Sequence, residues 1–279
     1  MVSGTRKIAL VTGGSRGIGK GTALALAKNG FIVYITGRTI EDNSSKTNLP
    51  GTIFQTSKEI ETAGGVCIPI QCDHTNDDQV KCVFQRIEED EKRLDVLVNC
   101  VWGGYEHYFD GTEFWKEKGF WDMPFSRWDK MFDAGVRAQF VSSSFAKPIM
   151  ENGKNGLIVN ISYWAAEKKG MGVAYSVAKA ATNKMTEVMA FELKSTSISV
   201  ITLYPGLVRT ESVMKAKEHF NLSNSESPEF TGLVISRMVE DANLPSMSGN
   251  RFTTAALAIE YGVRDIDGRQ PIPLTIETA

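Results

Sequence analysis

Short apolar runs and longer amphipathic segments alternate along most of the chain. The apolar runs lie at residues 7–11, 31–36, 66–71, 94–98, 157–161 and 199–203, and a last strand is predicted at 250–254, after the Ser248-Gly249 turn. Unbroken apolar runs of this length are typical of strands buried on both faces of a parallel sheet. The segments between them predict helices at 17–29, 51–64, 77–91, 128–150 and 173–193. This order predicts a single α/β domain over residues 1–279, a doubly wound parallel sheet with helices on both faces.

A glycine-rich turn joins the first strand to the first helix. It reads Thr12-Gly13-Gly14-Ser15-Arg16-Gly17-Ile18-Gly19. Glycines let the backbone pass close to a pyrophosphate, and the N-terminus of the helix favours its negative charge. Because the turn lies between a buried strand and a helix, it predicts a Rossmann-type fold with a dinucleotide bound at this position.

The end of the second strand predicts which dinucleotide is bound. NAD sites place an acidic residue there, which bonds the ribose 2′-hydroxyl. This chain has Gly37-Arg38 instead, and Arg16 lies inside the glycine turn. Two guanidinium groups suit a 2′-phosphate, so NADP(H) is expected in preference to NAD(H). The alternative is that both arginines are ordinary solvated side chains.

Asp73 follows directly after the third predicted strand. A carboxylate beyond the C-terminal end of a strand can accept a hydrogen bond from the amino group of an adenine. It can equally cap the helix predicted at 77–91. The two roles are compatible, and the sequence does not decide between them.

Tyr175 and Lys179 lie one turn apart on the helix predicted at 173–193, so the phenol and the ammonium can point into one site. A cation close to a phenol favours the phenolate and brings its proton within reach of chemistry at neutral pH. Taken alone, such a pair is more often an ordinary solvated helix face. Ser162 ends the fifth strand, and a strand end and the following helix lie at the same sheet edge. Ser162, Tyr175 and Lys179 are therefore expected to converge.

Residues 101–127 break the alternating pattern and form an aromatic-rich insertion. Its members include Trp102, Tyr105, His107, Tyr108, Phe109, Phe114, Trp115, Phe120, Trp121 and Phe125. Aromatic side chains at this edge of the sheet can wall a pocket for a flat, apolar molecule. A subunit interface and a lid are the open alternatives. We interpret His107 as a polar residue of the loop and not as a catalytic base.

Composition and charge exclude several classes of partner. The net charge is −2 with no basic block, which argues against nucleic acid and anionic membranes. The four cysteines lack the spacing of a metal site, which predicts no metal and a reduced, cytoplasmic protein. No signal peptide is visible, and no apolar run approaches the ~20 residues that span a bilayer. Association with the surface of an organelle membrane stays open.

These motifs together resemble the short-chain dehydrogenase/reductase (SDR) family over nearly the whole chain. The matching residues are Thr12-Gly13-x-x-x-Gly17-x-Gly19, Asp73, Asn99, Ser162, Tyr175-x-x-x-Lys179 and Pro205-Gly206. Residues 34–38 and 261–269 further resemble one branch of that family. The resemblance implies an NADPH-dependent carbonyl reductase or alcohol dehydrogenase that moves hydride between nicotinamide and a ketone or aldehyde.

The resemblance also implies roles for single residues. Tyr175 would protonate the carbonyl oxygen, Lys179 would lower the tyrosine pKa and bind the nicotinamide ribose, and Ser162 would hydrogen-bond the substrate oxygen. Asp73 would contact adenine, and Asn99 would lie along the cofactor. The full cofactor-binding set comprises Gly13, Ser15, Arg16, Gly17, Ile18, Gly19, Arg38, Asp73, Asn99, Tyr175, Lys179, Pro205, Gly206, Val208 and Thr210.

Two positions depart from the family pattern. Asn99-Cys100-Val101-Trp102-Gly103 replaces the usual Asn-Asn-Ala-Gly, and Gly135 stands where the family has a catalytic asparagine. We expect a water to fill the space at Gly135, leaving a three-residue catalytic set with slow turnover. The alternative function is an NADP(H)-binding protein with weak or no catalysis that acts as a sensor or partner.

The expected substrate is a small-molecule carbonyl or alcohol, with a bulky apolar or steroid-like molecule suggested by the aromatic insertion. An acyl thioester ranks below it, because little basic surface is evident for a phosphopantetheine carrier. Residues 211–244 are interpreted as a lid-like segment over the site. By family resemblance we expect a homodimer or homotetramer, with the helices at 128–150 and 173–193 as the interface.

Overall fold

The computed structural model describes residues 6–41, 49–104 and 119–279. Its strands are β1 (Ile8–Thr12), β2 (Ile32–Gly37), β3 (Val66–Gln71), β4 (Val96–Asn99), β5 (Gly156–Ile161), β6 (Ile198–Tyr204) and β7 (Arg251–Thr253). Within the described ranges they form one parallel sheet in the order β3-β2-β1-β4-β5-β6-β7. The predicted α/β, Rossmann-type fold is confirmed.

Helices cover both faces of the sheet. The α-helices are α1 (Gly17–Lys28), α2 (Ile53–Thr62), α3 (Asp77–Glu91), α4 (Phe125–Met131), α5 (Ala138–Met150), α6 (Val173–Glu192), α7 (Glu211–Lys215), α8 (Phe230–Met238), α9 (Leu244–Met247) and α10 (Thr254–Glu260). Short 3₁₀ turns occur at Phe120–Asp122, Trp164–Ala166 and Lys217–His219. The predicted boundaries of α3 agree with the structure at both ends, and those of α1 and α6 differ by one residue at the C-terminus.

The strand side chains alternate between two apolar layers. Val11 of β1 packs in one layer with Leu26 of α1, whereas Leu10 packs in the other layer with Phe84 of α3. Each of these side chains is at most 2% exposed. Burying an apolar side chain of this size contributes about 1.5–3 kcal/mol. The two layers therefore hold the strands firmly, and the strand ends gain fixed positions at one sheet edge.

The strand order reverses between β1 and β4, and this point opens a crevice at their C-terminal ends. Thr12 closes the base of the crevice: its hydroxyl accepts hydrogen bonds from the backbone N–H groups of Cys100, at 3.0 Å, and Val101, at 3.2 Å. The side chain at the end of one strand thus fixes the loop that leaves the next. Ligands of open parallel sheets bind at such a reversal.

The predicted helix at 128–150 is interrupted. A π-helical segment, Phe132–Arg137, separates α4 from α5 and contains Gly135. The backbone bonds of a π turn reach one residue further than those of an α-helix, and such turns are frequent at functional sites. The wider turn places Gly135 against the loop that follows β4.

The lid interpretation is wrong for the second half of residues 211–244. Phe230, Val234 and Ile235 of α8 are fully buried and belong to the same apolar layer as α1. This half is therefore part of the core. Residues 211–221 remain exposed or half-exposed, and for them the lid stays a prediction.

Most of the aromatic insertion, including His107, lies outside the described residues. Of the aromatic side chains that are described, Phe120, Trp121 and Phe125 are exposed, whereas Trp102 packs beside Tyr175. Over the described ranges, none of the helices has the length and apolar character needed to cross a membrane.

Candidate active site

The glycine turn has the backbone that its sequence predicts. Gly13 and Gly17 have φ angles of +75° and +54°, a region that L side chains rarely adopt. A Cβ added at Gly13 would lie 3.3 Å from the Val101 Cα, and one at Gly17 would lie 3.2 Å from a methyl carbon of Thr210. Both glycines therefore allow the turn to lie close to neighbouring loops while α1 begins at Gly17.

A carboxylate occupies the N-terminus of α1. The Gly17 N–H donates a hydrogen bond to the Glu211 Oε2 at 2.8 Å, and Arg16 makes no side-chain cap at this end. Backbone N–H groups at a helix N-terminus bind anions because of their orientation and the helix dipole. Glu211 stands in for an anion here, so the turn fits the pyrophosphate of a dinucleotide. The sequence interpretation missed Glu211, although an acid directly after Thr210 was a visible signal.

Arg38 and Asp73 line one surface pocket. The pocket has a volume of about 380 Å³ and is completed by Gln71 and Gln79. The second predicted arginine, Arg16, is engaged elsewhere: its guanidinium donates to the carbonyl of Leu49 at 2.9 Å and to the hydroxyl of Thr39 at 2.8 Å. Arg38 is exposed and lies beside Asp73 in this pocket.

Asp73 does not cap α3. The N-cap is Asn76, whose side chain accepts from the Gln79 N–H. Asp73 instead accepts from the backbone and the hydroxyl of Thr75, at 3.0 and 2.8 Å. Partial burial raises the Asp73 pKa, but these bonds and the charge of Arg38 outweigh it and hold the pKa below its usual value. The capping alternative is thus excluded, and an ionised acceptor remains beside Arg38.

Ser162, Tyr175 and Lys179 meet where β5 ends against α6. The Ser162 Oγ donates to the carbonyl oxygen of Lys179 at 3.2 Å, and the Lys179 Nζ donates to the carbonyl oxygen of Ile161 at 3.4 Å. The same Nζ lies 5.6 Å from the centroid of the Tyr175 ring. The structure therefore brings together the three side chains that the sequence places in one site.

The Lys179 ammonium is almost removed from water. The residue is 6% exposed, and its Nζ lies 3.8 Å from the ring centroid of Trp102. Burial lowers the pKa of Lys179 to about 7, against a smaller opposite effect of the Cys100 side chain. Burial also raises the pKa of the Cys100 thiol to about 12, so this neighbour is uncharged near neutral pH.

The prediction of a water at Gly135 is wrong, because an indole fills the space. A Cβ added at Gly135 would lie only 2.7 Å from the Cζ3 of Trp102 and 2.9 Å from its Cε3. Any larger side chain at this position would have to displace the ring. The same indole packs against the Tyr175 ring in a T-shaped arrangement, with ring centroids 5.5 Å apart and planes at 86°.

The Asn99 side chain points into the protein interior. Its amide donates to the Oδ1 of Asn160 at 2.9 Å and to the Oγ of Ser143 at 3.2 Å, and the Asn160 amide continues the chain of bonds to Thr186. Buried polar groups are stable only when bonded in this way. The amide nitrogen of Asn99 is therefore held inside the protein by this chain of bonds.

The segment after β6 reaches the glycine turn, where Thr210 and Glu211 lie beside Gly17. Val208 is buried, Thr210 caps α7, and Gly206 lies beside the carboxyl of Glu226. Glu226 is 2% exposed, and burial raises its pKa to about 8. Of the remaining predicted binding residues, Ser15 lies on the glycine turn, Ile18 and Gly19 lie in the first turn of α1, and Pro205 directly follows β6.

Comparisons with known proteins agree with this geometry. A model described as short chain dehydrogenase matches residues 7–221. "Dehydrogenase/reductase SDR family member 1" of Mus musculus is 35% identical over 94% of this chain and 84% of that protein. A "3-oxoacyl-[acyl-carrier-protein] reductase" of Synechocystis is 31% identical over 76% and 78%. The crystal structure of a putative dehydrogenase from Xanthomonas campestris superposes with a TM-score of 0.78 over 96% of both chains, at 23% identity.

Proposed function

Because the chain belongs to the short-chain dehydrogenases, oxidoreductases that bind a nicotinamide cofactor, we propose that it is an NADPH-dependent enzyme interconverting a carbonyl and an alcohol. The observation that carries the proposal is the convergence of Ser162, Tyr175 and Lys179 at the end of β5. A hydroxyl, a phenol and an amine at one site can hold a substrate oxygen and move its proton.

The crevice between β1 and β4 is the proposed cofactor site. Gly13 and Gly17 would lie against the pyrophosphate, Arg38 against the 2′-phosphate and Asp73 against the adenine. Gly206 and Val208 would border the nicotinamide. The exposed Arg38, without an acidic residue at the end of β2, supports NADP(H) over NAD(H).

Tyr175 is the proposed proton donor in carbonyl reduction and proton acceptor in alcohol oxidation. The positive charge of Lys179 favours the phenolate, which assists the transfer in either direction. Ser162 would hold the substrate oxygen. Its hydroxyl donates inward to Lys179 in this structure, so it would have to rotate toward a substrate. When bound, the nicotinamide supplies or accepts the hydride.

The test is NADPH oxidation with a panel of ketones and aldehydes, comparing the wild type with Tyr175→Phe. We expect the variant to lose about 100- to 10,000-fold in kcat, the usual contribution of a general acid. Tyr34→Phe is the matched control, since its hydroxyl bonds Asp90 and Glu91 near the C-terminal end of α3. Equal rates in Tyr175→Phe and the wild type would remove Tyr175 from the mechanism.

The same panel tests the alternative function. Tight NADPH binding without turnover of any ketone or aldehyde in the panel would favour a sensor or partner.

The panel should include bulky apolar ketones and a 3-oxoacyl thioester. The aromatic insertion motivates the first class, and the name of the Synechocystis relative motivates the second. A preference for the apolar ketones would support the substrate class proposed here.

We further propose a homodimer or homotetramer formed through α5 and α6. Their exposed apolar side chains are Phe140, Val173, Val177, Val188 and Phe191, each more than 40% exposed. Removing a continuous apolar surface from water is the usual driving force of subunit association. Sedimentation of Phe191→Lys against the wild type tests it; an unchanged mass would argue against this surface.

A further inference from the structure

A buried ammonium in this protein lies against an aromatic ring. The Lys179 Nζ is 3.8 Å from the centroid of the Trp102 ring, well inside the ~6 Å within which a cation is attracted to an aromatic face. Indole is the strongest partner of this kind, and the attraction grows when both groups are removed from water. The site is dry, because Lys179 is 6% exposed and Trp102 packs against the buried side chains of Ala174 and Ala178.

The position of this ring depends on a residue on another element. Gly135, in the π-helical segment, leaves the space that the indole fills, and its added Cβ would collide with the ring at 2.7 Å. Glycine in a helix costs about 1 kcal/mol relative to alanine. At Gly135 the missing side chain lets the ring lie close to both Lys179 and Tyr175.

We propose that Trp102 is a positioning residue for the reaction, which holds the Lys179 ammonium over its ring and beside Tyr175, and that Gly135 is required for this arrangement. The catalytic part of this proposal rests on the proposed function. The contact itself exists without cofactor or substrate, so it can be tested separately. Trp102 acts on the reaction through Lys179.

Within the described ranges, two titratable groups face the Lys179 ammonium: the Cys100 thiol, from the loop after β4, and the Tyr175 phenol, from the preceding turn of α6. On β5, the carbonyl oxygen of Ile161 accepts a hydrogen bond from the Lys179 Nζ. With Cys100 uncharged near neutral pH, the Trp102 ring and this carbonyl are the partners that compensate for the loss of water around the cation.

The experiment is a pH titration of Lys179 by NMR, in protein labelled with ¹³C at the lysine Cε, with the signal assigned from its absence in Lys179→Arg. Trp102→Leu keeps the site apolar but removes the aromatic face, so we expect the Lys179 pKa to fall by about one unit. In Trp102→Phe, which keeps an aromatic ring, the Lys179 pKa should fall by less than half as much. Trp121→Leu, which removes an exposed indole, is the control and should titrate like the wild type.

Gly135→Ala provides a second route that leaves Trp102 and Lys179 unchanged. It should lower the Lys179 pKa in the wild-type background and have no further effect in Trp102→Leu, since no ring is left to displace. An unchanged pKa in Trp102→Leu, or equal shifts from Gly135→Ala in both backgrounds, would overturn the proposal. If Trp102→Leu does not fold, the Lys179 pKa is measured in Trp102→Phe and in Gly135→Ala instead. A pKa unchanged in both variants would then overturn the proposal.

The pH dependence of kcat/KM for carbonyl reduction then tests the catalytic meaning. The alkaline limb of this pH profile should move to lower pH in Trp102→Leu, because the Lys179 ammonium loses its proton at a lower pH. A Lys179 pKa that shifts while this limb stays fixed would overturn the positioning role. Absence of turnover in the wild type would instead reject the proposed function and leave the NMR result unaffected.

Discussion

The two ends of the candidate crevice use positive charge in opposite ways. At the nucleotide end, Arg38 is exposed to water and shares an open pocket with Asp73. At the reactive end, around Tyr175 and Lys179, the Lys179 ammonium is buried beneath Trp102, and burial is the main cause that lowers its pKa to about 7. Charges in water interact weakly, whereas the same charges in a dry interior are strongly coupled to their surroundings. Changes to the exposed Arg38 should therefore act on cofactor affinity, whereas changes to the buried Lys179 should link activity to folding stability.

The largest effect is expected for Lys179→Met. Activity should fall by about 100- to 10,000-fold, while the free energy of unfolding should rise by on the order of 2 kcal/mol at pH 6.5. In the wild type the folded-state pKa is about 7 and the usual value is 10.5. The unfolded chain therefore binds more protons between these pH values, so stability falls as pH drops from 10.5 and the cost is complete below about 7. Denaturation at pH 6.5 and pH 10 measures the gain, which should be larger at pH 6.5.

The matched control is Lys184→Met, on the same helix, where the ammonium is exposed and paired with Glu187 at 2.8 Å. Exposed pairs of this kind contribute little, so we expect neither effect. A gain in Lys179→Met that is equal at both pH values would show that burial of the charge is not its cause.

His74, which follows Asp73 in the chain, is a buried titratable residue near the nucleotide end. The ring is 3% exposed and bonds the hydroxyls of Thr36, at 2.7 Å, and Ser142, at 3.2 Å. Burial lowers the His74 pKa from 6.5 to about 4. The unfolded chain therefore binds more protons between these values, and the wild type should lose up to about 3 kcal/mol of stability as pH falls from 6.5 through 4.

In His74→Asn, the loss of stability that His74 causes between pH 6.5 and pH 4 should disappear. The variant also loses a hydrogen bond, which costs about 1 kcal/mol at neutral pH. Unfolding free energies at pH 4, 5 and 7 give the slope, with the exposed His219→Asn as control. Equal slopes in His74→Asn and the wild type would mean that the histidine is not buried in its neutral form.

The sequence predicted the features whose residues lie close together in the chain, and it missed contacts between residues that are far apart in the chain. The glycine turn and the Tyr175/Lys179 spacing are local, so one strand, turn or helix suffices to place them. The contacts of Trp102 with Lys179 and of Glu211 with Gly17 join separate elements, the latter 194 positions apart. They depend on how loops pack, which no local pattern records. The water expected at Gly135 was wrong for this reason.

The nucleotide end can be tested directly with Arg38→Asp. The carboxylate should repel a 2′-phosphate and accept a bond from a 2′-hydroxyl, so the KM for NADPH should rise about 10- to 100-fold while that for NADH falls. The increase should shrink at high salt because Arg38 is exposed. Arg237→Asp, an exposed site near the end of α8, is the charge-matched control. An unchanged cofactor preference would show that Arg38 does not read the 2′-phosphate.

The smallest effect should come from Glu211→Gln, which lies between the two ends. Its carboxylate accepts from the Gly17 N–H, where the pyrophosphate would bind, so the two anions compete. Glutamine keeps the shape and removes the charge, and a charge at a helix N-terminus contributes about 0.3–1 kcal/mol. We therefore expect NADPH and NADH to bind about 2- to 5-fold more tightly, and by the same factor, since both carry the pyrophosphate. Calorimetric titration measures both affinities, with the exposed Glu218→Gln as control. Weaker binding, or a gain for one cofactor alone, would contradict competition at Gly17.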